Sequence, residues 1–288
     1  MFKQSVNKIL FFVVSFLACL SSVSAEAASS DPLWLSSWRA GTVVSDSDVK
    51  SVGISRCFVS EDISDKVFKR MWLKSWKRNC TMKRSQLCYL KMLHRNAKGQ
   101  TQLGEMVVNR AIAGKVLRIF RKLYDSGYRI ERMVLIDDYD ADDQASMRAN
   151  NTSCFNFRFM TGSRTRVSKH GLGLAIDINA LYNPYVRKNS NGTWTIEPKE
   201  GRPYAFNRDK RKDIPYKIDR NDLAYKLFIE AGFTWGGHGA ALKIISISRS
   251  AFSVLASLAL LKLQMVSAFM SFLICRHFIM FAYIWLFE

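Results

Sequence analysis

The sequence predicts an α+β domain, and two observations carry that expectation. Helical and extended patterns mix along the chain without a regular strand, helix, strand repeat, which argues against a doubly wound parallel sheet. With 288 residues and 48% hydrophobic content, the chain can bury one sizeable core and is too apolar to be disordered.

The first residues, 1–25, read as a secretory signal peptide: Lys3 and Lys8 open it, an apolar run follows from Ile9 to Leu20, and Val23 and Ala25 offer small residues before a cut. The run is short for a bilayer span of ~20 residues, so a membrane anchor is the lesser reading. Export to the periplasm or cell envelope is therefore expected. Residues 26–52 show no clear periodicity and read as a linker or arm, ahead of a main domain over 53–242.

Within that domain, Asn109 can cap a helix in which Ile112, Val116, Ile119, Phe120 and Leu123 share one face and which Gly127 closes. Arg132 to Ile136 reads as a buried strand ending in the acidic loop Asp137–Asp143. The loop lacks the spacing of an EF-hand and reads as a solvated segment rather than a calcium site. Leu174 to Ile178 is a second strand candidate. Asp219 and Asp222 open a helix that passes through Ala224 and Phe228 and ends at Gly232.

Composition narrows the partners. The chain has 43 Lys and Arg against 24 Asp and Glu, a net charge of +19, which favours an acidic partner. For an exported chain that partner is an anionic wall or membrane surface. The basic runs lack the aromatic interleaving of a single-strand binder, so nucleic acid is not expected. Cys57, Cys80, Cys88 and Cys154 would enter an oxidising compartment, where three pairings are open. They show no CxxC spacing, so thiolate zinc ligation is not expected.

Beyond Lys243 the chain is almost continuously apolar, with no Asp or Glu between Glu230 and Glu288. Residues 243–288 read either as a C-terminal membrane anchor, with Ala251 to Ile274 long enough to span, or as sequence read out of frame. The first reading brings membrane contact through the tail.

The chemistry concentrates in Ser168-Lys169-His170-Gly171-Leu172-Gly173-Leu174-Ala175-Ile176-Asp177-Ile178. A turn plus a strand can bring His170 and Asp177 to one metal, and imidazole with carboxylate suits Zn2+. Gly173 and Ala175 keep the intervening backbone slim where it turns and packs closely.

This stretch fits SxHxxGxAxDI at every specified position and so resembles the zinc D-Ala-D-Ala carboxypeptidase and L-Ala-D-Glu peptidase family. The likeness extends through Lys74 to Cys80, Tyr89-Leu90, Val108-Asn109-Arg110, Asn156-Phe157-Arg158, Asn183-Pro184-Tyr185 and Gly232 to Gly237, covering roughly Gly53 to Leu242. It implies a small antiparallel sheet with flanking helices, similar to the hedgehog-like fold, in a monomer. It implies a zinc metallopeptidase cutting peptidoglycan stem peptides. His170 and Asp177 resemble the first two zinc ligands, Arg158 the arginine that holds a substrate carbonyl or carboxylate, and Ser168 a substrate-side hydrogen-bonding position.

The likeness stops near Lys243. The family follows its GFxWGG segment with an acidic general base and a His-Phe pair carrying the third zinc ligand, and neither follows Gly237 here. His238, beside the glycines, and His277, in His277-Phe278, are the candidates left for that ligand. The zinc peptidase remains the first reading, inactivity of this copy is one expectation within it, and a non-catalytic peptidoglycan-binding or membrane-tethered protein is the alternative.

Overall fold

The computed structural model describes residues 31–160, 162–235 and 244–246. These fall into two units divided after Trp38, the first of which contributes one described helix, α1 (Leu33–Ser37). The second unit begins with α2 (Asp46–Val52), β1 (Val59–Glu61), α3 (Asp65–Met71), β2 (Leu87–Arg95) and β3 (Thr101–Asn109). It continues with α4 (Ala113–Asp125), α5 (Asp143–Arg148), β4 (Ala175–Ile176), β5 (Tyr185–Lys188), β6 (Trp194–Glu197), α6 (Leu223–Glu230), β7 (Phe233–Trp235) and β8 (Ile244–Ser246). Helices and antiparallel strands mix as an α+β fold.

The β2–β3 hairpin is the spine, in antiparallel register from Leu87 opposite Asn109 to Arg95 opposite Thr101. Successive side chains on a strand point to opposite faces, and both faces are covered. On one side Cys88, Leu90, Met92, Met106 and Val108 meet Val116, Ile119, Phe120 and Leu123 of α4. On the other, Leu87, Tyr89 and Val107 meet Val67, Met71, Trp76, Phe155 and Phe157. The connecting turn is closed by Asn96, whose Oδ1 accepts from the amides of Lys98 and Gln100.

One charged group is buried in this spine. Glu105, 1% exposed, accepts from Arg70 Nη1 at 2.9 Å and Nη2 at 2.6 Å, and from the Tyr89 hydroxyl. Burying a carboxylate is tolerable only with such partners.

The α4 stripe is buried as its spacing predicts, but the helix starts at Ala113 rather than at an Asn109 cap. Asn109 is the last residue of β3, and its side chain accepts from Ala111 N and donates to Leu172 O. The Arg132 to Ile136 run forms core without forming a strand. Met133, Leu135 and Ile136 are buried, while the backbone bonds are taken by Glu105 N on Met133 O and by the Asn151 side chain on both sides of Val134. A single amide side chain satisfies what a ladder would have. α6 begins as expected at Asp222, whose carboxylate accepts from Ala224 N and Tyr225 N.

The stretch expected as a linker holds α2, capped by Ser45, and residues 41–44 hydrogen-bond along β3 through Gly41 N to Leu103 O, Leu103 N to Thr42 O and Val44 N to Thr101 O. At the other end, β8 runs antiparallel between β4 and β7, although it lies within residues 243–288. The signal-peptide reading of 1–25 and the membrane-span reading of Ala251 to Ile274 concern residues outside the described ones. Among the described residues no helix is long and apolar enough to cross a membrane. Cys57, Cys80, Cys88 and Cys154 are free thiols, and burial raises the pKa of each.

Candidate metal centre

The site is assembled from irregular backbone rather than from long elements. Residues Phe159 and Val167 bridge antiparallel, so the chain doubles back, and Ser168 N donates to Arg158 O at 2.9 Å. A tight turn follows, in which Leu172 N donates to Ser168 O, Gly173 N to His170 O and Leu174 N to Lys169 O. Ser168 Oγ accepts from Gly171 N at 2.9 Å, so this hydroxyl closes the turn that presents His170.

Two glycines let the turn sit where it does. Gly173 has φ +65°, and a Cβ there would stand 2.7 Å from Asn109 N. A Cβ on Gly171 would stand 2.7 Å from Val167 Cγ1 and 2.9 Å from Arg158 O. The turn is thereby pressed between the end of β3 and the Arg158 segment.

Both candidate ligands are held by neighbouring residues of one other segment. Asp177 exchanges backbone hydrogen bonds with Ser153, at 3.1 and 3.0 Å. His170 Nδ1 lies 2.9 Å from Cys154 O. Donation to that carbonyl fixes the tautomer with Nε2 as the basic nitrogen, the arrangement by which metal-bound histidines are oriented. Nε2 lies 3.4 Å from Asp177 Oδ2, in a pair whose side chains are 7% and 17% exposed.

That separation fits a shared cation. Two ligand atoms each 2.0–2.1 Å from one tetrahedral zinc stand about 3.3–3.4 Å apart. A nitrogen and a carboxylate are both good zinc donors, so this pair fits the metal. Among the described residues no group of three or more His, Cys, Asp or Glu could hold an ion. His238 and His277 lie outside the described residues.

Arg158 is brought beside this turn through its backbone, while its guanidinium turns to Asp143. Nη1 is 3.0 Å from Asp143 Oδ2. The same carboxylate accepts from Asn156 Nδ2 at 3.0 Å, and Asn156 N donates to His170 O at 3.2 Å. A short polar relay therefore joins the arginine to the histidine.

Asp143 was not singled out by sequence, because it sits in the acidic loop read as solvated. The structure distributes that loop's carboxylates. Asp137 accepts from Ser75 N, Asp138 pairs with Arg70, Asp140 with Lys74, and Asp142 caps α5. Nothing in the spacing of Asp143 and Arg158 announces their contact; the one sequence signal was the Asn156-Phe157-Arg158 tripeptide.

Comparison with known proteins agrees with this region. The family described as D-alanyl-D-alanine carboxypeptidase matches residues 161–239, a span that contains Ser168, His170 and Asp177. No curated protein and no solved structure matches the chain. Over residues 161–239 the chain is therefore similar to the D-alanyl-D-alanine carboxypeptidase family, a peptidase family.

Proposed function

We propose that this protein is a zinc-dependent peptidase acting on peptidoglycan stem peptides, of D-Ala-D-Ala carboxypeptidase or L-Ala-D-Glu endopeptidase type. The supporting observation is the His170 Nε2 to Asp177 Oδ2 pair at 3.4 Å, with His170 Nδ1 on Cys154 O. Bound there, zinc would polarise a carbonyl and bring the pKa of its water to about 7.

The chain's own groups do the rest. Arg158, held by Asp143, presents a planar fork of donors suited to a substrate carbonyl or carboxylate, and its charge would stabilise an oxyanion developing on that carbonyl. Ser168 sets the turn that carries His170 and lies across a backbone hydrogen bond from Arg158. His238 or His277 would complete the ligand set. An exported setting, with membrane contact through the tail, belongs to the same reading and rests on residues 1–25 and 243–288.

A second reading has one specific observation behind it. No Asp or Glu follows Glu230 before Glu288, so the general base that the family places after its GFxWGG segment has no counterpart, and such a base contributes roughly 100- to 10,000-fold to rate. On this reading the chain binds stem peptides without cutting them. Zinc analysis and a stem-peptide cleavage assay on the purified chain separate the two. One zinc with cleavage supports the peptidase; retention on peptidoglycan with no cleavage supports the binder; folded chain with neither zinc, cleavage nor retention contradicts both.

A further inference from the structure

A cleft beside α5 is linked to the candidate centre through the first two residues of that helix. Asp143 of α5 holds Arg158, and the next residue, Gln144, lines a cleft of about 400 Å3. The opposite wall comes from β6 and the 3-10 turn after it, with Trp194, Glu197, Lys199 and Arg202. Arg148 and Glu200, 3.3 Å apart, tie α5 to that turn.

The lining has an unusual combination of chemistry. Trp194 is 45% exposed and Phe206 39%, and the two rings meet edge to face at 5.3 Å. An exposed aromatic pair beside a cleft is apolar surface waiting to be covered, in a setting where polar groups converge. Lys199 and Arg202 bring two cations against the single carboxylate of Glu197. Arg148 and Glu200 neutralise each other, so the cleft carries a net positive charge.

We infer that this cleft is a substrate subsite for a peptide bearing free internal carboxylates, read by Lys199 and Arg202 while Trp194 covers its aliphatic stretch. The inference rests on the peptidase reading, since it takes the peptide that enters the cleft to be the one whose reacting end lies at Arg158 and His170. Charge complementarity selects the occupant: a guanidinium fork and an ammonium favour carboxylates over neutral amides. Glu197 and Gln144 supply acceptors for peptide N–H groups.

The test is calorimetry on the full-length chain with two probes, a synthetic stem peptide with free internal carboxylates and the same peptide amidated at those positions, both keeping the terminal carboxylate. The free peptide is expected to bind about tenfold tighter, the value of a charge-assisted hydrogen bond. The double variant K199Q/R202Q should bind both peptides equally, and W194A should weaken both by a similar factor while keeping the preference. Equal binding of the two peptides by the natural chain, absence of binding, or a preference that survives K199Q/R202Q overturns the subsite. H170A separates this from the peptidase reading: it should keep the preference, and loss of zinc and cleavage alone leaves the subsite standing.

Discussion

In the β2–β3 hairpin nine residues on each arm pair in register and bury side chains on both faces, whereas the turn that carries the candidate ligands has two residues of strand and is held by contacts to Ser153, Cys154, Arg158 and Asn109. The first is stabilised by apolar area, which is non-directional and tolerates small adjustments. The second is positioned by individual donors and acceptors, and its cost of error is geometric. A candidate metal site built this way would depend on a few hydrogen bonds rather than on the size of the core.

Substitutions can push the two regions apart. Phe120→Ala removes a ring 1% exposed that meets Phe228 at 6.2 Å, and should cost about 3–5 kcal/mol in chemical denaturation. Zinc affinity of the folded fraction should be unchanged. If affinity fell with stability, the two regions would not be separable.

The next effect is one of pH. His94 is buried with Nδ1 2.7 Å from Ile130 O, and burial lowers its pKa from 6.5 to about 4. The unfolded chain therefore takes up the proton first. Stability that is full above pH 6.5 is lost as pH falls toward 4, by on the order of 3 kcal/mol. In His94→Gln that part of the pH slope should disappear, as seen in unfolding curves from pH 7 to 4.

Gly173→Ala sharpens the contrast from the other side. With φ +65° and a Cβ 2.7 Å from Asn109 N, it should cost about 2 kcal/mol of stability, less than Phe120→Ala, yet it should weaken zinc binding where Phe120→Ala does not. Isothermal titration with zinc on both variants decides this. Asp143→Asn should have the smallest effect: it loosens Arg158 and weakens stem-peptide binding or raises KM about tenfold, with thermal stability nearly unchanged and kcat changed less than KM.

The same contrast explains what could be read from sequence. The α4 stripe and the Asp222 cap follow local rules of periodicity and capping, so residues 112–123 and 222–232 were legible. The SxHxxGxAxD spacing revealed the candidate ligands His170 and Asp177, because it encodes a turn chemistry that a few residues specify. The Arg132 to Ile136 run was misread as a strand since its hydrophobicity reports burial, not who satisfies its amides. That task fell to Asn151, a side chain whose polarity gives no hint of it. The β2–β3 hairpin went unread because both faces are buried, which erases the alternation that marks a half-exposed strand. Asp143 and β8 are long-range partners, invisible to any local pattern.

The central claim is that His170 and Asp177 share a zinc ion. The most direct test is to titrate zinc into the folded, metal-free full-length chain and its His170→Ala and Asp177→Ala variants, following binding calorimetrically. The claim predicts one zinc per natural chain and an affinity at least 100-fold lower in each variant, since losing a direct ligand should exceed the 10- to 100-fold cost of losing its supporting hydrogen bond. Equal zinc affinity in all three proteins, or no zinc bound by the folded natural chain, would contradict it.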